Sequence, residues 1–155
     1  MDTSDNGDDA VHERARREHA ITEGHTAALL EAIVRQRARV HEAERVFAKQ
    51  EQCAKDAHEA ALIKAARAVI PKERWIELQQ RTGDESLVKN LAKGNEAYER
   101  EAREENDVLR QTLAKLVMTC DAEIAAADAE FWVAQRRLWA ERGNDDDRRP
   151  PRRAA

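Results

Sequence analysis

From Val11 onward the apolar residues of this chain return every three or four positions, a spacing that predicts helix. Between Leu29 and Leu78 one seven-residue register places Ile33, Val40, Phe47, Ala54, Ala61, Ala68 and Trp75 at its first core position. Leu29, Ala43, Ala57 and Leu78 share the second core position with Gln36, Gln50, Lys64 and Pro71. Polar side chains at such sites weaken a parallel zipper and imply a seam that is partly wet or highly specific.

A second helix is predicted from about Ser86 to Arg142. Its seam steps by four and three through Leu91, Tyr98, Ala102, Asn106, Leu109, Leu113, Leu116, Cys120, Ile124, Ala127, Phe131, Ala134 and Leu138. Consecutive four-residue steps at Tyr98, Ala102 and Asn106, and again at Leu116, Cys120 and Ile124, locally relax a supercoil. Gly94-Asn95 is a weak point that can split off a short first segment.

The stretch Ile70 to Ser86 interrupts these two patterns. Pro71 lacks a backbone donor and pushes Ile70 away from helical angles, so the helix must kink or stop there. Because Trp75 and Leu78 keep the earlier phase, a bend followed by further helix is expected. The reversal is placed at Thr82-Gly83-Asp84, where Gly supplies a left-handed C-cap and Thr82 or Asp84 caps the next helix.

The resulting expectation is an all-α chain: an elongated antiparallel helical hairpin or coiled coil with a kink at Pro71 and disordered charged tails. Residues 1–9 form an acidic tail and 10–142 the hairpin, with arms at about 10–81 and 86–142 and the turn at about 82–85. Residues 143–155 form a second tail. Reversal near Gly83 pairs residues whose numbers sum to roughly 167, setting Gln36 against Phe131, Phe47 against Cys120 and Leu29 against Leu138. Reversal at Pro71 would also give apolar pairs, so the turn is placed at Gly83 only by preference.

Composition agrees with thin helical packing. Of 155 residues, 37% are charged and 4% aromatic, with 5 Gly and 3 Pro, too few large apolar groups to fill a thick core. A net charge of −4 gives no general attraction to nucleic acid or anionic membranes. The N-terminus lacks a signal-peptide pattern and no apolar run reaches membrane-spanning length, so a cytoplasmic protein without membrane contact is expected. Cys53 and Cys120 are too far apart along the seam for a disulfide within one chain and are read as free thiols.

Two regions are more apolar than a two-helix seam requires. Leu62, Ile63, Val69 and Ile70 lie outside the core positions, and Trp132 and Trp139 form an i,i+7 stripe beside Phe131 and Leu138. Leu30 and Val34 broaden the opposing face at that end. Cover must come from the helix around Val11 to Ile21 folding over, or from another molecule. Leu62, Ile63, Val69, Ile70, Phe131, Trp132 and Trp139 are therefore the candidate partner-binding residues.

Catalytic and metal-ligating patterns are incomplete. His12, His41 and His58 are each followed by Glu, but none has a second His one turn on, and all five His precede residue 59. They are read as solvated surface histidines. No phosphate loop or nucleophile, base and orienter set can be assembled, so neither enzyme activity nor a cofactor is expected. Arg148, Arg149, Arg152 and Arg153, around Pro150-Pro151, could contact nucleic-acid phosphates without sequence preference, or could serve only as a solubilising tail. The favoured reading is a non-enzymatic coiled-coil interaction or assembly protein. Its expected partner is itself, as a homodimer, or another helical protein, with a nucleic-acid accessory role as the alternative.

Overall fold

The computed structural model describes residues 5–81 and 85–147 of the chain. Four helices account for nearly all of them, and no strand occurs among the described residues. They are α1 (Asp5–Val69), α2 (Lys72–Gln80), α3 (Glu85–Ala92) and α4 (Glu96–Asp147). The predicted reversal at 82–84 lies outside the described residues. Of the segments read as tails, residues 5–9 and 143–147 are helical, while 1–4 and 148–155 lie outside the described residues.

Pro71 ends one helix and begins another. Its extended backbone, φ −59° and ψ 142°, carries the chain out of the helical region, and α2 starts immediately afterwards, with the Arg74 amide donating to the Pro71 carbonyl at 2.9 Å. The predicted continuation through Trp75 and Leu78 is thus a separate nine-residue helix. A proline suits this position because its missing N–H is one that a helix start leaves unpaired anyway.

Gly94-Asn95 separates α3 from α4. Gly94 takes φ 85°, a left-handed value that costs glycine little. Asn95 then caps α4, its Oδ1 accepting from the amides of Ala97 at 3.0 Å and Tyr98 at 3.3 Å.

The chain divides into two compact units, one joining Met1–Glu42 to Glu123–Ala155 and the other comprising Ala43–Ala122. In the second unit the buried cluster is Ala66, Ile70, Val88, Ala92 and Tyr98, with Ile63, Ala65, Val69, Leu78, Leu91 and Ala102 packed against it. The end of α1 is closed here by α3, whose Val88 and Ala92 are 5% and 1% exposed. Lys89 donates to Glu59 at 2.5 Å across the same contact. Further along, the Cys120 thiol donates to the Ala43 carbonyl at 3.7 Å. Cys53 and Cys120 are both free thiols.

This packing departs from the single heptad register. Ala57, Lys64 and Ala68 are exposed, whereas His58, Ala65, Ala66, Val69 and Ile70 turn inward. A straight α-helix drifts by about 20° per heptad against a strict 3.5-residue repeat, so the inward stripe steps forward through residues 47, 51, 54 and 58. His58 is accordingly half-buried rather than solvated, and its Nδ1 has no partner among the described residues.

In the first unit α1 and α4 lie antiparallel. Gln36 donates to Asp128 at 2.6 Å, and Arg39 pairs with Glu130. Leu29 and Leu138, Thr22 and Arg142 line one cleft further along. Ala127 is the buried seam residue, 2% exposed, and Phe131, Ala134 and Leu138 follow it half-buried. Val11 and Ile21 remain in line with the rest of α1 and are exposed, so this segment does not fold back over the tryptophans.

Candidate interaction surface

The seven predicted partner-binding residues fall in two places. Ile70 is buried, and Ile63 and Val69 pack against the cluster around it, while Leu62 is half-buried. The cover their apolar surface demands comes from the chain's own α3. Phe131 is half-buried in the seam, but Trp132 and Trp139 are 55% and 59% exposed. Arg148, Arg149, Arg152 and Arg153 lie outside the described residues.

The helical geometry around Trp132 and Trp139 defines a face. Both stand one residue past a seam position, Phe131 and Leu138, which turns them about 100° round α4. Leu30 and Val34 stand one residue past Leu29 and Ile33 on α1 and are 57% and 64% exposed. Because the helices are antiparallel, the same one-residue step carries both pairs to the same side. The opposite step checks this: Arg39 and Glu130 each precede a seam residue, Val40 and Phe131, and they meet as an ion pair. One side of the unit is therefore salt-bridged and the other apolar.

Levels along the pair are set by the Gln36–Asp128 bond. Trp132 comes level with the stretch from Leu30 to Val34. Trp139 comes level with His25 and Thr26, beside which it lines a shallow cleft with Leu29 and Leu138. The two indoles are seven residues apart, about 10 Å of helical rise, with Leu30 at an intermediate level. The Phe131 and Trp132 rings meet edge to face at 5.7 Å, and the Arg142 guanidinium lies 5.8 Å from the Trp139 ring centroid. These contacts limit the rotamers of both tryptophans without covering them.

On the salt-bridged side, the hydrogen bond to Glu130 is the main reason that the Arg39 guanidinium titrates above its ordinary range. Burial opposes this, and the charges of Glu130 and Glu123 reinforce it. Arg35 pairs with Glu31 next to it.

The Arg142 contact was not foreseen in the sequence, although an Arg three residues after a Trp on one helix is a readable signal. Val108, Val117 and Met118 are also exposed on α4 but fall on different sides of the helix, as single surface residues commonly do. Among the described residues no group of three His, Cys, Asp or Glu is placed to hold a metal ion, and no helix is long and apolar enough to cross a membrane. Comparison with protein-family models, curated proteins and solved structures yields no match to this chain.

Proposed function

We propose that this chain is a non-enzymatic coiled-coil interaction or assembly protein, which presents an apolar helical surface to itself or to another helical protein. One observation carries the reading: Trp132, Trp139, Leu30 and Val34 share a side of the first unit, and each is more than half exposed. Two indoles of 150–250 Å² each, with the two aliphatic groups, expose roughly 400–500 Å² of apolar surface, a size associated with functional patches on soluble proteins. Tryptophan at the centre of such a patch is also the residue type that most often dominates binding energy. The contribution is positional: long helices hold the surface at a set place, and no bond is made or broken.

A photo-crosslinking residue introduced at Val34 in the full chain tests this. The expected result is a discrete adduct that disappears when Trp132→Glu and Trp139→Glu are introduced together. Absence of any adduct dependent on the tryptophans would defeat the reading.

A further inference from the structure

The apolar side of the first unit is exposed at Leu30, Val34, Trp132 and Trp139. Residues 11–21, which could have folded over it, continue straight along α1. Residues 1–4, 82–84 and 148–155 hold no large apolar side chain except Met1.

We propose that the occupant is a second copy of this chain, docked on the same side about a two-fold axis parallel to the helices. This deepens the functional reading above and rests on it. Such an axis lays α4 of one copy across α1 of the other, so that all four helices have antiparallel neighbours, a four-helix arrangement in which each copy offers the same surface. Trp132 of the second copy then lands on Leu30 and Val34 of the first. Large rings meet smaller aliphatic groups in both halves, which is what close packing needs.

Charge selects the same pairing. The side carries Arg37 beyond Val34 and Asp128 at the same level, with Glu23 and Arg142 at the other end. Rotation about the axis sets Arg37 against Asp128 of the second copy, and Glu23 against Arg142. Two charges of each sign leave the surface neutral, although the chain as a whole carries −4. Close pairing of two such chains therefore meets no like-charge barrier at the contact.

The area is sufficient. Two patches of roughly 400–500 Å², with the aliphatic stems of the flanking arginines, bury about 1,000 Å² together, the lower bound for a specific interface. Burial of four tryptophans at its centre places the binding energy there.

Light scattering coupled to size exclusion on the full chain provides the test. The expected mass is twice 17.6 kDa. Trp132→Glu with Trp139→Glu should raise the dissociation constant on the order of 30-fold or more, with helicity by circular dichroism unchanged because both rings are exposed in the single chain. Arg37→Asp and Asp128→Arg should each weaken the dimer about tenfold, and mixing the two single variants should restore association as a heterodimer, a result that pairing within one chain cannot produce. A monomer at concentrations up to about 100 micromolar, or a dimer indifferent to both tryptophans, would overturn the proposal. If the Val34 crosslinker then captures a different chain, the surface reading stands and the second copy is wrong; if it captures nothing, both fail.

Discussion

Asn95 and Gly94 set the beginning of α4, and each does so by a different physical route. The Asn95 side chain satisfies two amides that the helix start would otherwise leave bare, while Gly94 adopts a φ of 85° that a Cβ would strain. Asn95→Ala should cost about 1 kcal/mol, and Gly94→Ala a similar amount, in urea unfolding. The thiols offer a second residue-level expectation. Cys53 is exposed and Cys120 is half-buried with its sulfur directed at the Ala43 carbonyl. A thiol reagent should modify Cys53 at once and Cys120 only slowly, and non-reducing electrophoresis should show no internal disulfide. Arg39 contributes no pH dependence near neutrality. Its folded-state titration lies above the unfolded one, so the stability it lends is fully present below that range and is lost only in strong alkali. The pair is partly exposed, and salt rather than pH should weaken it.

At the scale of elements, α3 is the most dependent part of the chain. Eight residues cannot hold a helix alone in water, so α3 exists because Val88 and Ala92 seat it on Ala66 and Ile70. Val88→Asp should bury an unpaired charge and destabilise the second unit by about 3 kcal/mol or more. Hydrogen exchange should then accelerate across residues 85–92 while the amides of 124–138 keep their protection. The α4 seam was legible in the sequence almost position by position: of its twelve predicted residues from Tyr98 to Leu138 only Asn106 is exposed, with Glu105 turned inward instead. Leucines spaced by three and four leave little ambiguity of phase. Beyond Ala54 on α1 that contrast disappears. Alanines stand at 54, 57, 60, 61, 65, 66 and 68, so several registers fit the pattern equally and the inward side is chosen by what packs against it. The closure of Ile70 by α3 was hidden for a related reason: treating the second arm as one helix ignores the offset that Gly94 introduces, and Lys89 meets Glu59 well outside the predicted pairing.

For the molecule as a whole, the expectation is association through α1 and α4 with no chemistry attached. Removal of residues 148–155 should leave the light-scattering mass per oligomer and its dependence on Trp132 and Trp139 unchanged, since the proposed contact uses none of those arginines. An equal loss of self-association on deleting the tail would assign the contact to the arginines instead. The candidate surface was half legible. Trp132, Trp139, Leu30 and Val34 stand out by spacing alone, but their common side depends on helix direction, which the Gln36–Asp128 bond and the cleft of Leu29 and Leu138 together establish. Leu62 to Ile70 carries an equally strong apolar signal and is closed from within, because a sequence pattern registers the need for cover without saying which segment supplies it.

The bond between Gln36 and Asp128 has one more effect. Two helices whose apolar groups recur every seven residues could slip past each other by a heptad and still meet apolar to apolar, like a ruler sliding along its own markings. A part-buried amide donating to a carboxylate makes every slipped state leave both groups without a mate, at a cost of about 1–3 kcal/mol for each stranded group. The pair thus works as a bolt, and replacing Gln36 with leucine would leave the helices paired but free to idle between notches.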